Sequence, residues 1–183
     1  DDSIAINAGT SDRGATGLQS ISIGNLSKTG DDYALAIGAG AQAKSESGVA
    51  LGYNATAEDE STIAIGTSAK ATSFKAETHT NYPGIAIGLG AESSGGIAIG
   101  NNGKFLTINT GNTYATTNGI AIGNNAKASG AGNVAIGVNA CSGVTGNNKT
   151  CIGSNSGPKS TSHKSDTTLE SLYFGSGLSL IHI

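Results

Sequence analysis

The 183-residue chain predicts an all-β solenoid of about ten short two-strand coils, stacked as parallel sheets. Three observations predict it. A tetrapeptide of the form apolar-Ala-apolar-Gly recurs along the chain. The step between copies is often fourteen residues. The composition lacks the large side chains that a thick core uses.

Composition bounds the class. Glycine supplies 29 residues, aromatics only 4% and charged residues only 13%, with no Trp or Met. A compact globule fills a thick core with large side chains. Here the apolar residues are mostly Ala, Ile, Val and Leu, which suits a thin interior. A chain rich in Gly, Ser, Thr and Asn also invites a reading as disorder. Disorder goes with high net charge and few β-branched residues. A net charge of −3 and isoleucines recurring in order argue against it.

Internal periods come next. The tetrapeptide appears as Leu35-Ala36-Ile37-Gly38, Val49-Ala50-Leu51-Gly52, Ile63-Ala64-Ile65-Gly66 and Ile85-Ala86-Ile87-Gly88. It returns as Ile97-Ala98-Ile99-Gly100, Ile120-Ala121-Ile122-Gly123 and Val134-Ala135-Ile136-Gly137. Ile21-Ser22-Ile23-Gly24 and Thr150-Cys151-Ile152-Gly153 are variants, and Ile4-Ala5-Ile6-Asn7 and Leu172-Tyr173-Phe174-Gly175 are degenerate copies. Gly24, Gly38, Gly52 and Gly66 are spaced by fourteen, as are Gly123 and Gly137, while other steps are longer or shorter, so the unit tolerates insertions.

Within one unit, Ile-Ala-Ile alternates, so both isoleucines leave one face of a strand and the alanine leaves the other. The reading places the isoleucines inside. Glycine then ends the strand, where a sharp turn or a positive φ excludes a larger residue. A second alternation follows, as in Ala41-Gln42-Ala43, Ala55-Thr56-Ala57, Ala69-Lys70-Ala71 and Ala126-Lys127-Ala128, with alanine inward and the polar residue outward. Two strands and two turns make one coil, and stacking covers what a single coil leaves open.

On this reading the middle alanine of each triplet faces out. Ala36, Ala50, Ala64, Ala86, Ala98, Ala121 and Ala135 would form a flat, weakly apolar strip. Either these alanines are simply exposed, or the strip is the seam of a symmetric oligomer.

Charge is uneven. Residues 1–100 carry five basic and eleven acidic groups, residues 101–183 five lysines against Asp166 and Glu170. Neither half has the clustered basic patch that nucleic-acid binding needs. No segment reads as a signal peptide or a membrane-spanning helix. The chain opens on the repeat-like Ser3-Ile4-Ala5-Ile6, and the expectation is a mature or excised fragment with no membrane contact of its own.

The pattern of apolar-Ala-Ile-Gly, then two or three residues, then Ala-x-Ala resembles the head repeat of trimeric autotransporter adhesins, the YadA-like head. The resemblance covers Ile21 to about Gly153 strongly and both ends weakly. It implies a left-handed parallel β-roll, three chains around a shared axis, and display on the outer membrane of a Gram-negative bacterium, with the head carried on a stalk. It implies a non-catalytic function: adhesion to host matrix proteins, host cells or other bacteria, as in biofilm and autoaggregation. Stalk heptads, a neck motif and a C-terminal barrel anchor are not recognisable here. The Asn-rich stretch Asn147 to Gly157 also resembles a variant found in trimeric bacteriophage tail fibres, so a receptor-binding fibre segment is the alternative. A β-solenoid enzyme acting on polysaccharide is a third, weaker class, because it would need a cleft with paired acids.

As domains, the whole of 1–183 reads as one head, with regular coils about 21–153, irregular ends 1–20 and 154–183, and insertions about 70–83 and 103–118. Specificity usually sits on loops carried by a rigid scaffold. The first insertion contains Phe74, His79 and Tyr82. The second reads as a β-hairpin, with runs Lys104–Ile108 and Thr113–Thr117 around a Gly/Asn turn, and contains Phe105 and Tyr114. These five residues are the candidate ligand contacts, although the aromatics could equally pack against the rod or a neighbouring subunit. Lys28, Lys70, Lys104 and Lys127 occupy outward positions and read as a solvated face.

Cys141 and Cys151 form a candidate disulfide, the default for an exported protein. Register opposes it. Cys141 takes an outward position of a second strand and Cys151 replaces a triplet alanine, so in regular coils the two side chains leave opposite sheets. Two extra residues in that step could rotate one of them, and the pairing stays open. No metal site, catalytic constellation or cofactor is expected. His79, His163 and His182 are scattered, Glu58-Asp59-Glu60 reads as a solvated turn, and the Gly-Gly-x-Gly-x-Asp calcium repeat does not occur.

Overall fold

The computed structural model describes residues 2–6, 14–75, 81–101, 103–105, 108–110, 113–144, 146–157 and 171–175. The triplets form one eleven-stranded sheet. Its strands are Ile4–Ile6, Ile21–Ile23, Leu35–Ile37, Val49–Leu51, Ile63–Ile65, Ile85–Ile87, Ile97–Ile99, Ile120–Ile122, Val134–Ile136, Lys149–Ile152 and Ser171–Phe174, adjacent in that order. The second strands form an eight-stranded sheet: Gly14–Ala15, Lys28–Thr29, Gln42–Ala43, Thr56–Ala57, Lys70–Thr72, Glu92–Ser94, Tyr114–Ala115 and Lys127–Ala128. Pairing within both sheets is parallel, and the register lays like on like, as in Leu35 on Val49 on Ile63. The chain alternates between the sheets, a topology consistent with a left-handed parallel β-roll. Eleven rungs at the inter-strand spacing give a length of roughly 50 Å.

The sidedness of the triplet is the reverse of the sequence reading. Ala36, Ala50, Ala64, Ala86, Ala98, Ala121 and Ala135 are all 0% exposed, so none is a surface seam. The flanking isoleucines, leucines and valines are half-buried or exposed instead. The reason is the thickness of the interior. The alanines of the second sheet, such as Ala41, Ala43, Ala55 and Ala57, also point inward and are fully buried. A methyl built on Gly48, just before a triplet, would meet the Cβ atoms of Ala57 and Ala43 at 3.6 and 3.7 Å. The gap between the walls therefore holds about one layer of methyl groups. Isoleucine does not fit there, and the pleat sends it to the other face.

The glycine after each triplet has two reasons to be glycine. At Gly52, φ is +135°, a conformation open to glycine and strained for residues with a Cβ. A Cβ there would also lie 2.7 Å from both the carbonyl carbon and the oxygen of Gly66 on the next rung. The glycines stack in a column whose backbones approach too closely for any side chain.

Two residues past that glycine the backbone turns left-handed, at Asn54, Ser68, Asn125, Asn139 and Asn155 among others. Asparagine tolerates this conformation. Its amide also makes a ladder along the edge: Asn125 Nδ2 donates to Asn139 Oδ1 at 2.7 Å, and Asn139 Nδ2 to Asn155 Oδ1 at 2.9 Å. The sequence carries this signal in the asparagine two positions after Gly52, Gly123, Gly137 and Gly153.

One coil has a polar interior. Ser20, Ser22, Ser27 and Thr29 are fully buried and pair across it, Ser22 Oγ with Ser27 Oγ at 2.8 Å and Thr29 Oγ1 with Ser20 Oγ at 3.1 Å. Pairing removes the cost of burying each hydroxyl alone.

The cysteines are bridged, with Cα atoms 5.5 Å apart and both residues fully buried. The outward position read for Cys141 is corrected by a bend. Its φ is +52°, its N–H donates to Ser156 O at 2.9 Å, and Val144 N–H donates back to its carbonyl at 3.0 Å. The backbone leaves the extended path there and turns the thiol inward, toward the place Cys151 takes in the triplet. Among the described residues the second sheet ends at Ala128 while the triplet sheet runs three strands further. The disulfide ties the two walls together where that sheet has stopped.

Substitutions in the turn column, the interior and the disulfide test this packing. Gly52→Ala should lower stability by at least about 2 kcal/mol, whereas Tyr53→Ala, at an exposed side chain, should be near neutral in the same urea titration. Ala64→Leu should cost roughly 1–3 kcal/mol by overpacking. The pair Cys141→Ala and Cys151→Ala, closing no loop, should lower stability by roughly 2–3 kcal/mol, read as a shift in the unfolding midpoint.

Candidate functional site

Turning the triplet over exposes an apolar face. On the outer side of the long sheet the side chains stand in two columns. One runs Ile21, Leu35, Val49, Ile63, Ile85, Ile97, Ile120 and Val134, the other Ile23, Ile37, Leu51, Ile65, Ile87, Ile99, Ile122 and Ile136. Neighbours within a column cover part of each other. Even so, Leu51, Ile99, Ile122, Ile136 and Ile152 remain 36–40% exposed. Over roughly 50 Å of length the two columns form a continuous aliphatic strip, the kind of face a monomer seldom leaves uncovered.

The outer side of the second sheet is different in kind. Its outward column reads Lys28, Gln42, Thr56, Lys70, Glu92, Tyr114 and Lys127. Lys104, expected in this column, lies instead in the strand Gly103–Phe105 of an insertion, and Tyr114 stands in its place. Lys44 Nζ reaches Glu58 Oε2 at 2.7 Å, and Lys70 Nζ lies 3.8 Å from Glu58 Oε1. These pairs are substantially exposed to solvent and contribute little. This is a solvated face.

Both insertions are hairpins. In the first, Phe74–Lys75 pairs antiparallel with Asn81–Tyr82, which sets Phe74 opposite Tyr82. In the second, Gly103–Phe105 pairs with Ile108–Thr110. The second hairpin thus turns earlier than the sequence suggested, and Tyr114, expected in its return arm, belongs to the regular second sheet. Phe74 is exposed, while Tyr82 and Tyr114 are half-buried. His79, His163 and His182 lie outside the described residues, as does most of the third long step. Among the described residues no group of three His, Cys, Asp or Glu side chains is placed to hold a metal ion.

Phe74 and Tyr82 are brought together in the first hairpin, but the two hairpins are not brought together in one chain. The first hairpin replaces the return turn between Thr72 and Ile85, and the second replaces the glycine turn between Gly100 and Thr113. These turns line opposite edges of the roll. Sequence order suggested proximity, but consecutive insertions enter alternate edges.

The family model of the YadA head domain repeat (2 copies) matches residues 15–41, 43–72 and 117–140. Those segments are the regular coils on both sides of the two hairpins. The chain carries YadA head repeats. Such repeats build the heads of trimeric autotransporter adhesins, structural and generally non-catalytic parts of proteins exposed at the surface and anchored in the outer membrane. Comparison with curated proteins and with solved structures returns no match.

In the YadA repeats of this chain the sheet of triplets is the apolar side and the second sheet the solvated side. Substitution on the two sides should therefore behave differently. Gln42→Ala, on the solvated side, should leave both stability and solution mass unchanged in calorimetry and light scattering. Ile99→Asp should leave the methyl-filled interior intact but change the solution mass.

Proposed function

We propose that this chain is the surface-displayed head of an outer-membrane-anchored homotrimer that attaches a bacterium to host matrix, host cells or other bacteria. The observation that carries the reading is the pair of exposed aliphatic columns within repeats of the YadA head type. A continuous aliphatic face is ordinarily covered, and cyclic association of identical chains is the usual cover. Three copies with these faces toward a common axis bury the columns and leave the second sheets and the hairpins outside. The roll then acts as a stiff spacer, and the hairpins with Phe74 and Tyr82 are the parts that depart from it toward a receptor. Aromatic side chains supply much contact area at low entropic cost.

Light scattering of the purified chain should give three times the chain mass, and the combined Ile99→Asp and Ile122→Asp variant should lose the trimer. A stable monomer in the unsubstituted protein would sink the reading. A binding screen against matrix proteins, glycans and bacterial cells should show a signal that falls at least tenfold when residues 74–82 and 103–110 are each replaced by a short turn. Unchanged binding after both replacements would move the site to the regular rod surface.

A further inference from the structure

We infer that the two hairpins meet between protomers, the first hairpin of one chain lying against the second hairpin of the next, so that the recognition surface is built from two chains. The inference rests on the trimer reading above.

The argument is geometric. The first hairpin stands on the edge formed by the return turns and the second on the edge formed by the glycine turns. Within one chain the width of the roll separates them. Rotation about an axis parallel to the stack, with the aliphatic faces inward, sets the return edge of each protomer beside the glycine-turn edge of its neighbour. Such an interface is heterologous: different surfaces of identical chains face each other. A rotation about that axis also keeps every rung at its own height.

The heights match. The first hairpin leaves after Thr72 and folds along the stack onto the following rung. A Cβ on Gly95, in that rung, would lie 2.6 Å from Phe74 Cβ and 3.0 Å from Tyr82 O. The hairpin base therefore covers the rung that contains Ile85–Ile87 and Glu92–Ser94. The second hairpin is part of the very next rung, between Ile97–Ile99 and Tyr114–Ala115. One rung is about 4.8 Å, less than the width of a two-stranded hairpin.

Both edges also carry apolar residues with nothing over them in the single chain. Leu26, Tyr53, Leu89 and Val138 are exposed on the glycine-turn edge, Leu18 and Tyr33 on the return edge, and Phe74 on the first hairpin is 42% exposed. A neighbouring protomer is the partner that faces both edges at once. Three such hairpin pairs would ring the rod at one level, and a receptor gripping one pair would touch two chains.

Thiol cross-linking tests this in the intact protein, whose own cysteines are buried and bridged. The double variant Asn81→Cys with Lys104→Cys, treated with a short bis-maleimide, should run as covalent dimers and trimers on a denaturing gel, and neither single variant should do so. Adjacent strand positions face opposite ways, so Tyr82→Cys with Thr110→Cys samples the other side of each hairpin. Covalent multimers in either pair support the inference. If both pairs stay at single-chain mass while light scattering shows an intact trimer, the hairpins do not meet and the trimer reading stands. If light scattering shows a monomer, both readings fall.

Discussion

The structure depends on the closeness of its two walls. The space between the sheets holds about one layer of methyl groups. Everything else about the fold follows from that gap. Alanine is the prevailing inward residue of both strands because a single methyl group fills the layer. Isoleucine is driven outward by the same limit, and the strand pleat provides the route. A roll this thin buries little apolar area per coil, so it gains stability from length, with each rung resting on the next. The outward isoleucines leave apolar area on the surface that the single chain does not bury.

The same gap explains where the interior departs from alanine. Buried polar groups there are satisfied, some by each other and some by backbone carbonyls, as Thr62 Oγ1 donates to Asp59 O and Ser156 Oγ to Gly153 O. Ser22 bonds Ser27, Ser20 bonds Thr29, and Cys141 bonds Cys151, each pair reaching across or along the narrow space. A buried hydroxyl left without a partner would cost its full desolvation. The edges obey a different rule. Repeated left-handed positions admit asparagine, and stacked asparagines bond one another, so the turns are held in register by side chains as well as by backbone.

The insertions use the freedom that the edges retain. A turn can be replaced by a hairpin without disturbing either sheet, because the register of the triplets passes across it unchanged: Ile63 pairs with Ile85 and Ile97 with Ile120 despite the intervening residues. This separates scaffold from variable surface. It also means that two insertions close in sequence stand on opposite edges when they replace different turns.

Much of this was legible in the sequence. The recurring triplet and its glycine identified the stack, the parallel sheets and the family resemblance, because a period of strand, turn, strand and turn admits few architectures. Alternation also showed that Ile and Ala must face opposite ways. It did not show which way was in, because a pleat has no preferred side until two sheets are set at a distance. The larger residue looked like the core; the observed wall spacing, read at Gly48, made it the surface. For the same reason alternation alone left the pairing of Cys141 with Cys151 open, since the disulfide depends on a left-handed bend at Cys141 that no strand pattern foretells. The hairpin strands were partly visible as alternating runs, while their turn positions and opposite edges were not. Period and alternation are local properties and can be read from the chain. Wall spacing and edge are relations between distant residues, and only the tertiary structure decided them.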